Sequence, residues 1–102
     1  MNVTVFSKKP CPQCDATFRQ LDKKKDAEGR TLIEYTVVDI TTEPGAKEFI
    51  TEQLGYLQAP VVLIHEGHWS DFRPSEENQG EHWSGFRPDA LIELFKRFAP
   101  VA

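Results

Sequence analysis

Residues 3–14 read Val3-Thr4-Val5-Phe6-Ser7-Lys8-Lys9-Pro10-Cys11-Pro12-Gln13-Cys14, and this stretch decides the fold. Val3, Val5 and their neighbours make a short buried strand ending near Phe6. Pro12 suits a first helical turn, where its missing N–H costs no bond, so a helix is expected from Cys11 or Pro12. The chain's two cysteines thus form a C-x-x-C pair at a helix start. Unpaired N–H groups and the helix dipole favour negative charge there, and the thiolate is the attacking form of cysteine. Cys11 is therefore the expected nucleophile, exposed and acidic. Cys14, one turn later and buried, is the thiol expected to resolve a mixed disulfide. Lys8 and Lys9 are placed to add positive potential on that side, although lysines on a loop are more often simply solvated.

Outward from this stretch, Phe18 and Leu21 line the apolar side of the first helix, with Gly29 as its expected stop. Residues 32–40 are rich in β-branched side chains and read as a second, largely buried strand. Thr41-Thr42 offers a cap, with Glu43, Pro44 and Gly45 in the opening turn of a second helix. Ala46, Phe49, Ile50 and Leu54 recur at helical spacing, and Gly55 ends that helix. Residues 60–64 give a third strand that starts at a proline, an allowed place for one. A last helix is expected over 88–98, with Leu91, Ile92, Leu94, Phe95 and Phe98 supplying its buried surface. The order β-α-β-α-β, then a poorly periodic region over 65–87, then a helix implies right-handed crossovers. An α/β sheet with helices on both faces follows.

A chain of 102 residues supports one domain spanning 1–102, and 39% apolar content with seven phenylalanines excludes disorder. A formal charge of -4 argues against nonspecific nucleic-acid binding, which needs clustered Lys and Arg. The run Lys23-Lys24-Lys25 is answered by Asp22, Asp26 and Glu28, so it reads as a solvated helix face. No stretch approaches the roughly eighteen apolar residues of a membrane span. Met1 to Phe6 lacks a basic region and a cleavage site, so it reads as a strand rather than a signal peptide. A cytoplasmic, reducing home is expected, where a C-x-x-C is chemical more often than structural.

Rival readings of the cysteines are weaker. A zinc site wants about four ligands, and His65, His68 and His82 stand at spacings of no recognised finger. Two inert buried cysteines remain the bland alternative. A hydrolase using Cys11 would want a histidine within reach and an oxyanion hole, and no side chain here reads as that general base.

The oddest feature is a repeat. His68-Trp69-Ser70-Asp71-Phe72-Arg73-Pro74 recurs as His82-Trp83-Ser84-Gly85-Phe86-Arg87-Pro88, identical at six of seven positions. The polar residues 75–81 between the copies are loop-like. A fourteen-residue period occurring once is not a solenoid, so a duplicated insertion around 66–81 is the expected account. The second copy is expected on the sheet edge, because it feeds the last helix and carries Gly85, which tolerates close approach or positive φ. Trp83, not Trp69, is then expected against the sheet, and excising 68–81 should leave the fold intact. The rival arrangement puts the first copy on the edge after a turn at Glu66-Gly67. Arg73 and Arg87 are expected either to pair locally with acids such as Asp71, Glu76 or Asp89 or to tie the last helix to its loop. Tyr56 fits either beside the dithiol or at the end of the second helix. From the residues alone, the bond before Pro60 is open between cis and trans, and Ala59 offers backbone for an incoming extended segment.

The layout resembles the thioredoxin fold, and within it the NrdH-type redoxins, small glutaredoxin-like proteins with thioredoxin-like behaviour. The resemblance rests on Val3-Thr4-Val5-Phe6, Cys11-Pro12-Gln13-Cys14, Val38-Asp39-Ile40, residues 55–62 (Gly-Tyr-Leu-Gln-Ala-Pro-Val-Val) and residues 83–89 (Trp-Ser-Gly-Phe-Arg-Pro-Asp). It implies a four-stranded mixed sheet flanked by three helices, with Pro60 as a cis proline facing the dithiol. It also implies a redox-active Cys11–Cys14 disulfide with no bound cofactor, supported by Pro12, Gln13, Ala59, Pro60, Trp83, Ser84, Gly85, Phe86 and Arg87. The implied role is hydrogen donor to a class Ib ribonucleotide reductase, recharged by thioredoxin reductase so that NADPH is used indirectly, as a monomeric shuttle. Typical glutaredoxins carry Tyr where this chain has Gln13, Thr-Val before the proline where it has Gln58-Ala59, and a double glycine it lacks. Glutathione-dependent glutaredoxin activity is the alternative, and a non-catalytic thioredoxin-like binding module is a second.

Overall fold

The computed structural model describes residues 2–75 and 81–98. Strand β1 (Asn2–Ser7) leads to helix α1 (Pro12–Lys23), strand β2 (Thr36–Asp39), helix α2 (Ala46–Glu48, prolonged by a π-helical turn over Phe49–Gln53) and strand β3 (Val61–His65). A 3₁₀ turn (Trp69–Asp71), strand β4 (His82–Ser84) and helix α3 (Pro88–Phe98) complete it. The sheet order is β2-β1-β3-β4, with β1 parallel to β2 and antiparallel to β3, and β3 antiparallel to β4. This is the mixed four-stranded α/β sheet of the thioredoxin fold.

Alternation along the strands sorts the core into two layers. Val3, Val5, Val62, Ile64 and Trp83 face one way and bury Leu21 of α1 and Leu91 and Leu94 of α3. Phe6, Val61 and Leu63 face the other way, with Val38, against Ala46, Phe49, Ile50 and Leu54 of the second helical segment. The second repeat copy forms the edge strand, with Val62 opposite Trp83.

The first copy is not a bystander. Trp69 is 7% exposed, hardly more than Trp83 at 6%, and packs into the second layer with ring centroids 5.3 Å from Phe6 and 5.1 Å from Phe49. The expectation that only Trp83 meets the sheet is therefore wrong. The two copies place one indole on each face of the sheet, and Phe72 packs beside Trp69 against the second layer.

Several boundaries also differ from expectation. Helix α1 stops at Lys23, not near Gly29, because the Asp26 carboxylate takes the N–H groups of Glu28 and Arg30 and builds a turn. Gly29, at φ +83°, serves that turn. Lys23, Lys24 and Lys25 are exposed, as a solvated run should be, though only Lys23 is helical; Arg30 takes Asp26 and Glu28, Tyr35 donates to Asp22, and Lys24 lies over the Phe95 ring. Residues 32–35 are not strand, since Leu32 bonds back to Lys24 and Ile33 turns into the core. Thr41 spends its hydroxyl and N–H on the Asp39 carboxylate, so the second helical segment starts at Ala46 after Gly45. Ile92 points outward at 54% exposure.

Candidate active site

Parallel pairing of β1 with β2 and antiparallel pairing with β3 hold the C-terminal end of β1 fixed, and the chain leaves it toward Cys11 through a cis Lys9–Pro10 bond. Cys11 is the N-cap of α1, extended at φ -153°, ψ 93°, and Pro12 occupies the first turn. The Cys14 N–H points at Cys11 Sγ, 3.1 Å away, while the Asp15 N–H bonds Cys11 O. A sulfur placed so takes the part that a hydroxyl or carboxylate oxygen takes in an ordinary helix cap. It therefore sits where a helix start favours negative charge. The two cysteines are joined as a disulfide with Cα atoms 5.2 Å apart.

Cys14 is 1% exposed, as expected. Cys11 retains only 9%, which corrects the expectation of an open thiol. Its sulfur is bonded to Cys14, and the pair packs with Ala59 and Phe18 into a small apolar cluster. Phe18 lies one turn beyond Cys14 on the same helix face, a spacing that would have disclosed it.

Ala59–Pro60 is cis, and Pro60 is buried. Pro60 O accepts the Gly85 N–H at 2.8 Å, and Gln13 Oε1 accepts the next N–H, that of Phe86, at 2.9 Å. Gly85 adopts φ +85°, and a Cβ there would stand 3.3 Å from Gln13 Oε1. Cys11-Pro12-Gln13-Cys14, Ala59–Pro60 and Gly85-Phe86 thus converge from three separate parts of the chain. Ser84 Oγ adds a bond to Gln58 O at 3.2 Å.

Two of the expected supporting residues stand apart. Trp83 packs in the core layer under α3. Arg87 pairs with Asp89 at 2.8 Å, as expected from local acids, and that contact holds the Asp89 carboxyl below its ordinary range. Lys8 and Lys9 are exposed; the Lys9 charge contributes the smallest part of the lowering at Asp39, which comes first from the Thr41 hydroxyl. Two surface clefts differ in relevance. One of about 790 Å³ runs along Asn2, Thr36 and His68 and contains neither cysteine. Another of about 590 Å³ adjoins the cis-proline segment, between residues 55–58 and residues 82–84.

The glutaredoxin family profile matches residues 3–69. The glutaredoxin-like protein NrdH of Salmonella typhimurium is 30% identical over 79 residues, covering 78% of this chain and 88% of that protein. Its counterpart in Lactococcus lactis is 32% identical over 74 residues, covering 72% and 92%. The solved structure of the glutaredoxin-like protein NrdH-redoxin from Escherichia coli superposes with a TM-score of 0.65 at 25% identity, covering all of both chains. A thioredoxin-like protein at 18% identity, covering 91% of this chain and 97% of its own, shares the fold with a TM-score of 0.64.

A paired C-x-x-C at a helix cap on this fold defines a thiol–disulfide oxidoreductase. The chain belongs to the glutaredoxin family, as a glutaredoxin-like redoxin of the NrdH type.

Proposed function

We propose that this redoxin donates electrons to a class Ib ribonucleotide reductase and is recharged by thioredoxin reductase at the expense of NADPH. In the reduced protein the Cys11 thiolate attacks one sulfur of the partner's disulfide and expels the other as a thiolate, leaving a mixed disulfide. The Cys14 thiolate then attacks Cys11 Sγ, releases the second partner thiol, and closes the Cys11–Cys14 bond. Two electrons pass to the partner, two protons accompany them, and the reductase returns two electrons afterwards. Pro12 starts the helix, while Gln13, Ala59, Pro60, Ser84, Gly85 and Phe86 shape the partner-facing groove. Trp83 and Arg87 hold the strand and helix on either side of it.

The observation that carries this reading is the Gln13–Phe86 contact. Glutathione-using relatives are expected to have tyrosine at the first position and a double glycine near the second. Here both places are committed to a bond within the protein. A monomeric shuttle in the cytoplasm fits the same reading, and among the described residues no helix is long and apolar enough to cross a membrane.

The test compares two reductants. Oxidised protein is expected to be reduced by thioredoxin reductase with NADPH, and the product to support deoxyribonucleotide formation by a class Ib reductase. Efficient recycling by glutathione, with none by thioredoxin reductase, would establish the glutathione-dependent alternative instead.

A further inference from the structure

The two repeat copies carry the same histidine and use it differently. His68 is exposed, and its Nδ1 turns back on Ser70 Oγ at 2.7 Å within its own copy. His82 instead meets a residue far away in sequence: its Nδ1 lies 2.7 Å from the Tyr56 hydroxyl, which also reaches His82 O at 3.3 Å. The rings are edge-on, with centroids 5.5 Å apart. Phe72 of the first copy abuts the same imidazole, also edge-on, at 6.0 Å.

Tyr56 opens the short irregular segment that leads to the cis proline. Its own N–H bonds Ile50 O, Leu57 beside it is 91% exposed, and Gln58 O accepts from Ser84 Oγ. Ala59, the next residue, packs on the cysteines. The segment is thus clasped to β4 at two points, His82 on Tyr56 and Ser84 on Gln58.

We infer that His82 is a positioning residue for disulfide exchange: it holds Tyr56, and through it residues 57–59, in the shape that receives an extended protein segment beside the dithiol. Phe72 gives the inserted copy a share in this, by bracing the imidazole. Burial lowers the His82 pKa and raises that of Tyr56, so the site disfavours the charged form of each. The clasp acts on the protein substrate and not on the sulfurs, so loss of it should separate binding from chemistry. The inference rests on the disulfide-exchange activity and is independent of which partner enzyme is served.

The experiment uses insulin as the protein disulfide, with dithiothreitol as regenerating reductant, and measures separately the reduction of the Cys11–Cys14 bond by dithiothreitol alone. His82→Leu and Tyr56→Phe are each expected to raise KM for insulin about fivefold, the size of one lost hydrogen bond. kcat should change less than about twofold, and the rate with dithiothreitol alone should stay as in the parent. His82→Asn, whose amide can meet the tyrosine hydroxyl, should restore most of the loss. Unchanged KM in Tyr56→Phe overturns the inference, and that variant decides the matter if His82→Leu does not fold. A parallel fall in the dithiothreitol rate also overturns it, since the dithiol itself would then have been disturbed.

Discussion

Gln13 Oε1 accepts the backbone N–H of Phe86 at 2.9 Å, tying the residue between the two cysteines to the loop that precedes α3. Pro60 O takes the neighbouring N–H of Gly85, so two consecutive amides of one loop are held by the C-x-x-C on one side and the cis proline on the other. Gly85 is what lets them meet. Its φ of +85° suits glycine, and the space where a Cβ would lie is bordered by Gln13 Oε1 at 3.3 Å.

This arrangement predicts the outcome of two substitutions. Gln13→Ala removes one exposed hydrogen bond and should lower stability by about 0.5–1 kcal/mol. Gly85→Ala adds the cost of a left-handed conformation, about 1–2 kcal/mol, and presses on the glutamine. Because they share one contact, the double variant should be less destabilised than the sum of the two. Urea denaturation of the four proteins checks this; strict additivity would show that the contact carries no weight.

What the chain disclosed in advance followed from short-range rules. A proline at a helix start, alternation in Val3-Thr4-Val5-Phe6 and apolar spacing through α3 are local signals, and they located the dithiol, the core strands and the last helix. The boundaries that failed were decided by side chains competing for backbone. Asp26 drew N–H groups away from any continuation of α1, and Asp39 drew Thr41 away from its cap. At the site, Gln13 and Gly85 are 72 positions apart, and no local rule connects them. Phe18 was within reach of helical spacing; the pairing of Tyr56 with His82 was not. The cis geometry at Pro60 was implied only by resemblance.

The repeat gives a second prediction. Trp69 and Trp83 fill opposite layers, so Trp69→Ala and Trp83→Ala should each cost about 3–5 kcal/mol, as for other buried aromatic residues. Excision of 68–81 removes Trp69 along with its copy and should cost at least as much as Trp69→Ala. The intact fold expected of that deletion thus comes at a cost in stability. Denaturation midpoints of the three variants decide the point, and parental stability in Trp69→Ala would refute the second-layer role.

Stability should also fall in alkali for a nameable reason. Tyr35 stacks on Phe18 with centroids 5.9 Å apart and donates to Asp22, and its pKa is raised to about 12, first by burial and then by that carboxylate. The folded state thus holds the phenol proton more tightly than the unfolded chain, whose tyrosine titrates near its ordinary value. The contribution is complete below about pH 10 and is lost as pH rises through 12. Phenolate absorbance should show a phenol titrating at about 12 that is absent in Tyr35→Phe, while Tyr56, also raised by burial, remains; that variant should lose less stability between neutral pH and pH 11. A Tyr35 that titrates with an exposed phenol would contradict the burial argument.

The division of labour within the dithiol is tested by removing one sulfur at a time. Cys14→Ser leaves the cap sulfur of Cys11 and the N–H of residue 14 directed at it, so attack on a partner disulfide should proceed. Release should not, because no second thiol can displace the captured partner, and a covalent adduct of one redoxin with one substrate should accumulate under non-reducing conditions. Cys11→Ser should form no such adduct and should lose reductase activity to background. Its remaining sulfur, at Cys14, is 1% exposed in the folded protein and is not presented to a partner. Intact mass measurement of both variants after reaction with an oxidised protein substrate distinguishes them. An adduct in Cys11→Ser rather than Cys14→Ser would reverse the two roles and, with them, the meaning of the helix cap.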